Sequence, residues 1–135
     1  MAGYSGTPLP KKLGFKEGFS AALLNSPTGF HKELGTLPKD VKLVTENCKG
    51  PFHLILFFVD TQRKLKTEFA RLSKKLHKDG MLWIAWPKKA SGVATDLTEN
   101  VVRNIGLDAG LVDVKVCAIN EIWSGLKFVY RLADR

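Results

Sequence analysis

Two adjacent lysines, Lys88 and Lys89, follow directly on the apolar run "MLWIAW", and Ser91, Gly92 and a predicted helix start come next. Ammonium groups attract an anion, and the unpaired N–H groups at a helix start also favour negative charge. Serine and glycine supply a small flexible turn. Residues 86 to 96, "WPKKASGVATD", therefore have the side chains of an anion-binding loop. The alternative interpretation is a solvated loop between a strand and a capped helix.

A second group of polar and aromatic side chains lies in "NEIWS", residues 120 to 124, which supplies Glu121, Trp123 and Ser124. A tryptophan in a short turn either packs back onto the core or presents its flat face to a base or another ring. Strand alternation places the nearby Lys127 on a face where its stem covers a helix or its ammonium group extends a cationic rim.

Catalytic and metal-binding patterns are scarce. The carboxylates of Asp60 and Glu121 follow predicted strands, where solvated or capping roles are commoner than acid–base catalysis. The sequence contains no nucleophile elbow, P-loop or HExxH motif. His31, His53 and His77 have no cysteine or carboxylate at a ligand-like spacing, so we predict no metal site. We assign no catalytic residue.

Composition indicates one globular domain, residues 1 to 135, with 44% hydrophobic and 25% charged residues. The longest apolar runs, residues 54 to 59 and 81 to 86, are far below the roughly 20 residues of a membrane span. No apolar stretch follows a basic start, as a secretory signal would require. We expect no membrane association, a cytoplasmic location and free thiols at Cys48 and Cys117, with Cys117 a small buried side chain.

The formal net charge of +8 suits an anionic partner, nucleic acid among them. Nine basic and three acidic residues lie between residues 60 and 89, and most belong to a predicted helix at residues 62 to 78. The apolar stripe of that helix has helical spacing and consists of Leu65, Phe69, Leu72 and Leu76. Its basic surface is either the solvated back of a core-packed helix or a nucleic-acid surface. Single-strand binding uses exposed aromatics, and Phe69 lies on the stripe instead.

Strand-length apolar runs alternate with helical patterns along the chain. The predicted strands are residues 19 to 24, 41 to 45, 52 to 59 and 80 to 86. Near-continuous apolar runs are typical of a parallel sheet covered by helices on both faces. Asp96 is expected to cap a helix, with Glu99 completing an acidic capping box, and that helix runs towards Gly110.

The end of the chain follows a different pattern. Residues 112 to 119 and 125 to 132 form two predicted strands whose connection is too short for a crossover helix, so they pair as an antiparallel hairpin. The predicted fold class is α/β, a three-layer Rossmann-like sandwich with a mostly parallel sheet closed by a C-terminal antiparallel β-hairpin.

This arrangement resembles the class I methyltransferase version of the Rossmann fold, whose last strand is antiparallel. "KKLGFKEGFSAALLNSPTGF" is similar to the opening of that family, and "HKDGMLWIAWPK" to its fourth-helix and penultimate parallel-strand region. Over nearly the whole chain, "GYSGTPLPKKLG", "WPKKASGVATDLTENVVR" and "GLVDVKVCAINEIWSGLKFVYR" resemble DUF3052, a bacterial family of unknown function. The second resemblance implies no activity.

The methyltransferase resemblance implies a glycine-rich loop that lets backbone N–H groups approach S-adenosylmethionine. Here the loop retains Gly29, but Asn25 and Pro27 stand where other glycines would fall. Leu23 replaces the expected acidic residue, and proline removes an N–H donor. Glu46, after the second predicted strand, is either the acceptor of a ribose hydroxyl or a surface carboxylate.

In an open parallel sheet, ligands bind beyond the carboxyl ends of the strands. We therefore predict a non-catalytic Rossmann-like module that binds an anionic small molecule or partner at that edge. The candidate residues are Asn25, Gly29, Lys88, Lys89, Ser91, Glu121, Trp123 and Ser124. The alternatives are an atypical S-adenosylmethionine-dependent methyltransferase and nucleic-acid binding through the helix at residues 62 to 78. Neither a cofactor nor an oligomeric state follows from the sequence.

Overall fold

The structure is a computed structural model that describes residues 7 to 46 and 49 to 135, so Cys48 lies outside the described residues. Within them the strands are β1 (Ser20–Leu24), β2 (Lys42–Val44), β3 (Phe52–Phe58), β4 (Leu76–Pro87), β5 (Leu111–Ala118) and β6 (Trp123–Tyr130). The helices are α1 (Leu9–Leu13), α2 (Phe30–Leu34), α3 (Gln62–Ser73) and α4 (Glu99–Asp108). Short 3-10 helices follow at Lys89–Ser91 and Leu132–Asp134.

The six strands form one sheet in the order β2-β1-β3-β4-β6-β5. The first four strands are parallel to one another, whereas β6 is antiparallel to both β4 and β5. The last strand of the sequence therefore lies inside the sheet, between β4 and β5. This topology confirms the predicted mostly parallel sheet closed by a C-terminal antiparallel hairpin.

Helices cover both faces of the sheet and produce two apolar cores. The first core lies under α3 and α4 and contains Phe69, Val102 and Phe128. The second lies under α1 and α2 and contains Phe30 and Trp83. The buried indole N–H of Trp83 donates to the carbonyl of Leu13, 2.8 Å away, so the ring carries no unpaired donor into the core. The predicted three-layer arrangement is confirmed.

The basic helix is shorter than the predicted span of residues 62 to 78. It begins after Thr61, whose side chain accepts from the N–H of Lys64, and it ends at Ser73. Leu76 is buried at the start of β4, where it pairs with Phe52, instead of in the helix. A leucine buried at helical spacing also satisfies a strand position, so the apolar stripe alone could not locate this boundary.

The cap of α4 also differs from the prediction. Thr98 is the N-cap, and its hydroxyl accepts from the N–H of Val101 at 3.3 Å. Asp96 is engaged elsewhere, because its carboxylate accepts from the N–H of Gln62 at 2.8 Å and its carbonyl from the Gln62 side chain at 2.9 Å. Asp96 therefore satisfies the start of α3, a neighbour in space and not in sequence.

The hairpin strands are displaced from the predicted residues 112 to 119 and 125 to 132. They span Leu111–Ala118 and Trp123–Tyr130, so Trp123 and Ser124 belong to β6 and not to the turn. The prediction did not include α1 at all. Pro10 near its start and Gly14 beyond its end, with φ of +95°, are the sequence signals that mark such a short helix.

The longest helix in the described part of the chain, α3, has 12 residues. None of the described helices has the length and hydropathy that a bilayer span requires.

Candidate functional site

The carboxyl ends of β1, β3 and β4 lie side by side along one edge of the sheet, because these strands are parallel neighbours. Antiparallel β6 begins at the same edge, where Trp123 pairs with Pro87. We call this the carboxyl edge; it consists of the loops that follow the three parallel strands and of the hairpin turn before β6. The prediction that Trp123 lies within reach of the loop at residues 86 to 92 is confirmed.

Asn25 connects two of these strand ends. It has a left-handed backbone with φ of +58°, which asparagine adopts more readily than most residues. Its side-chain amide donates to the carbonyl of Phe58 at 2.9 Å, and this hydrogen bond closes the space between the ends of β1 and β3. The loop from Asn25 to Gly29 is therefore fixed at its first residue by a side-chain contact that a glycine could not make.

Gly29 is the N-cap of α2 and has φ of +85°. A Cβ atom at this position would meet no heavy atom within 4 Å, so the space above the backbone is open. Glycine is required here by the left-handed backbone and not by crowding. Among the predicted loop residues, Gly29 alone retains the feature that close approach of a ligand to the backbone needs.

Aromatic rings fill the sheet face beneath the loop. Phe30 and Phe58 are almost fully buried and pack edge to face with ring centroids 4.8 Å apart. Trp123 packs edge to face on Phe58 at 5.0 Å and is half-buried. Of the two alternatives for Trp123, packing onto the core is therefore the one observed. The loop thus rests on a column of three rings.

The loop after β4 is held by its own hydrogen bonds. The N–H of Lys88 donates to the carbonyl of Ile122 at 2.7 Å, which ties the loop to the hairpin turn. The Ser91 hydroxyl donates to the Lys88 carbonyl at 2.6 Å and accepts from the N–H of Val93 at 3.2 Å. Lys88 is half-buried and Lys89 exposed, and neither forms an ion pair within residues 7 to 46 and 49 to 135.

The hairpin turn depends on Asn120, which the sequence analysis passed over. Its side-chain oxygen accepts from the N–H groups of Ile122 and Trp123 at 2.9 and 2.8 Å. Its amide group donates to Glu33 of α2 at 2.8 Å, so the turn is also linked to the helix after Gly29. An asparagine that precedes a tight turn is the signal that could have identified it.

The remaining predicted residues are less closely associated. Glu121 is exposed in the hairpin turn. Ser124 pairs with Trp86 and lies on the opposite sheet face from Trp123, since adjacent strand residues alternate. Glu46 is exposed just beyond β2, at the same edge but outside the group around Asn25. The structure thus brings together Asn25, Gly29, Lys88 and Trp123, with Lys89 and Ser91 on the adjoining turn.

The connection from β4 to α4 crosses to the end of β3. The hydroxyl of Thr95 donates to the carbonyl of Asp60 at 2.7 Å, and Asp96 holds the start of α3 nearby. The carboxylate of Asp60 is exposed beside this crossing. The stretch "WPKKASGVATD" therefore forms one wall of the carboxyl edge from β4 to β3.

The basic helix α3 presents its charges to solvent, and its apolar stripe faces the sheet. Phe69 is 1% exposed and packs edge to face on Phe128, so it offers no ring to a nucleic acid base. Arg71 forms an ion pair with Glu68. An open depression runs along this helix and is lined by Thr61, Arg63, Lys64, Thr67 and Glu68.

The histidines predicted to be separate are partly brought together at the opposite edge of the sheet. His53 stacks on Phe19 and on His77, with centroids 4.7 and 4.2 Å apart. Its Nδ1 accepts from the N–H of Ser20 at 2.9 Å, so this atom is already engaged. Within the described residues, no three potential metal ligands lie together.

No protein-family model matches the sequence, and neither does any curated protein. Several solved structures, all methyltransferases, resemble the fold. A SAM-dependent methyltransferase from Aquifex aeolicus has a TM-score of 0.59 and 16% identity over 87% of this chain and 85% of its own. A ribosomal protein L11 methylase from Lactobacillus delbrueckii subsp. bulgaricus has a TM-score of 0.60 and 13% identity over 91% and 75%.

A third similar structure, magnesium protoporphyrin IX methyltransferase from Synechocystis with bound SAM (S-adenosylmethionine), has a TM-score of 0.60 and 11% identity over 91% of this chain and 74% of its own. Identities this low establish the fold and leave the activity open. The strand order, the inserted antiparallel last strand and these likenesses together show that the chain has the Rossmann-like fold of class I SAM-dependent methyltransferases.

Proposed function

We propose that this chain is a binding module that holds an anionic small molecule at the carboxyl edge, without methyl transfer. One observation carries the proposal: the Asn25–Gly29 loop, the Lys88 loop and the hairpin turn are bonded to one another at the ligand-binding edge of the fold. Lys88 and Lys89 add two positive charges there, and neither belongs to an ion pair among the described residues.

The loop after β1 supports binding without methyl transfer. Asn25 occupies the first loop position and donates its amide to the Phe58 carbonyl, which closes the gap between the strand ends. Pro27 lacks an N–H group that a cofactor could use. Leu23, 2% exposed in the second core, cannot be replaced by a carboxylate without burying its charge. The ligand would then contact the outer surface of the loop and the lysines.

Methyl transfer is the second candidate function. It is favoured by the likeness to methyltransferases, one of which contains bound SAM. The open space at Gly29 and the exposed Glu46 beyond β2 are where backbone and carboxylate contacts to a nucleoside would be made. The resemblance of the whole-chain motifs to DUF3052 assigns no activity, and we propose membership of that bacterial family on those motifs alone.

The first experiment compares the small molecules that copurify with the wild-type chain and with a Lys88→Ala/Lys89→Ala variant, by mass spectrometry after denaturation. The binding proposal expects an anionic compound with the wild type that is lost from the variant. Unfolding free energies should agree within about 0.5 kcal/mol, because the changed side chains are not core contacts. An identical set of compounds on both proteins would contradict the proposal.

The second experiment is calorimetry with S-adenosylmethionine and S-adenosylhomocysteine. Binding that Glu46→Gln weakens and Lys88→Ala/Lys89→Ala leaves intact would favour the methyltransferase candidate, because the neutral amide removes the negative acceptor at the end of β2. The absence of heat at millimolar cofactor would exclude that candidate and leave the first proposal standing.

A further inference from the structure

Four lysines lie together on the sheet face that α1 covers, a surface separate from the loops of the carboxyl edge. Lys12 belongs to α1, Lys16 follows that helix, Lys115 lies on β5 and Lys127 on β6. We call these the α1-face cluster. They surround Cys117, whose thiol is half-buried against the second core.

Strand register forces two of these charges together. Lys115 and Lys127 are direct partners in the β5–β6 ladder, so their side chains stand on the same face. Like charges directly opposite one another destabilise an antiparallel pair. The ammonium group of Lys127 lies 5.9 Å from the ring centroid of Trp83, a weak cation–π contact on this face of the sheet.

The helix adds further positive charge to this pair. The ammonium group of Lys12 donates to the carbonyl of Ala118 at 2.8 Å, at the end of β5. The carbonyl of Lys12 in turn lies 3.5 Å from the ammonium group of Lys115. These two contacts bring the charged ends of α1 and β5 to the same place.

No carboxylate neutralises the cluster. None of the four lysines takes part in the ion pairs found within residues 7 to 46 and 49 to 135. Residues 1 to 6, 47 and 48 contain neither aspartate nor glutamate. Burial, with further contributions from the positive charges of Lys115 and Lys16, lowers the pKa of Lys127. Uncompensated charge on a folded surface is what a bound anion would offset.

From this geometry we infer that the α1-face cluster binds a phosphate group of a small molecule. Lysine ammonium groups are common phosphate partners, and a phosphate has enough oxygens to accept from Lys115 and Lys127 at once while Lys12 or Lys16 contributes charge. Bound phosphate would replace the repulsion between Lys115 and Lys127 with two attractions. This site goes beyond the proposed function and would work with any ligand, or none, at the carboxyl edge.

Inorganic pyrophosphate is the probe, and sodium chloride at matched ionic strength is the control for general screening. Thermal melts of the full chain should show a higher Tm in pyrophosphate than in chloride. A Lys115→Met/Lys127→Met variant should lose this difference and bind pyrophosphate about tenfold more weakly or worse by calorimetry, because two charged contacts are removed. Its Tm in chloride should rise, since the opposed charges are gone.

Two further variants keep the test specific. Lys88→Ala/Lys89→Ala and Lys66→Met, on the exposed side of α3, should respond to pyrophosphate as the wild type does. Equal Tm values in pyrophosphate and chloride would overturn the inference. So would a full response in the cluster variant, or a response that disappears only when Lys88 and Lys89 are replaced, which would place the anion at the carboxyl edge.

Discussion

At Asn25 a single side chain meets two requirements that no other residue type meets equally well. Its backbone is left-handed, with φ of +58°, and its amide bridges to the Phe58 carbonyl. The sequence indicated that this position departs from a glycine loop, but the partner lies on β3, 33 residues away. Contacts of this kind depend on strand register, which one sequence does not specify at side-chain resolution.

We predict that the stability order at this position is wild type, then Asn25→Gly, then Asn25→Ala. Glycine keeps the left-handed backbone and loses only the hydrogen bond, at a cost of about 1 kcal/mol. Alanine adds the strain of positive φ, roughly 1–2 kcal/mol more. Urea denaturation of the three proteins measures the order. An Asn25→Ala protein as stable as Asn25→Gly would show that the backbone conformation does not matter here.

Cys117 was expected to be a small buried side chain, and it is only half-buried beside the α1-face cluster. Burial raises the pKa of its thiol, an effect opposed by the charges of Lys12, Lys115 and Lys127. Because the folded pKa exceeds the unfolded one, the resulting stability is present below the unfolded pKa and is lost as pH rises through the folded value.

Iodoacetamide should therefore alkylate Cys117 more slowly in the folded protein than in urea, with a pH midpoint above that of a free thiol. A Cys48→Ser background restricts the reaction to one thiol. Lys127→Met should raise the midpoint further, because it removes a positive charge that favours the thiolate. A midpoint at or below that of a free thiol would contradict the dominance of burial.

At the scale of the elements, pattern predicted which segments exist, and neighbours in space determined where they end. The run at residues 62 to 78 has one apolar period, yet the helix ends at Ser73 because Leu76 pairs with Phe52 in the sheet. Asp96 has the residue type of a cap, yet Gln62 of another helix occupies its carboxylate. Both errors arise from tertiary contacts that override a local signal.

The packing of α4 on β6 gives a prediction at the same scale. Gly106 lies against the Phe128 ring, and a methyl group at Gly106 would overlap that ring. Gly106→Ala should therefore destabilise the protein by about 1–3 kcal/mol through overpacking, although alanine favours a helix by up to about 1 kcal/mol. Denaturant titration measures the change.

Asn104→Ala, on the exposed side of the same helix, is the matched control, and it should leave stability unchanged or slightly higher. A Gly106→Ala/Phe128→Leu protein should recover part of the loss, because the smaller side chain makes room for the methyl group. If Gly106→Ala were as stable as the control, the close contact between α4 and β6 would be wrong.

For the whole molecule, the sequence predicted the topology because buried runs and a short connection allow few alternatives. The same topology brought Asn25, Lys88 and Trp123 to one edge, as expected. It could not reveal that Trp123 packs on Phe58, since the choice between core and solvent depends on which ring lies opposite. Nor did it indicate the α1-face cluster, whose lysines lie up to 115 residues apart.

The net charge of +8 gives the prediction at this scale. Any nucleic-acid binding through α3 should weaken steeply with salt, because each neutralised phosphate releases counterions. Filter binding at low and moderate salt measures the slope, and Lys64→Ala/Lys66→Ala should reduce it by about two contacts' worth. Affinity independent of salt would exclude α3 as a phosphate-contacting surface and leave its charges as a solvated helix back.

The position of β6 also constrains how the chain can be made. β5 has no ladder partner except β6 in the described residues, and the open side of β4 pairs with β6 as well. While residues 123 to 130 are still inside the ribosome, the emerged part of the sheet ends at β4, and β5 has nothing to pair with. Both strands then present unpaired backbone groups, the kind of surface on which chaperones and aggregation act. Completion of the sheet is therefore tied to release of its last strand.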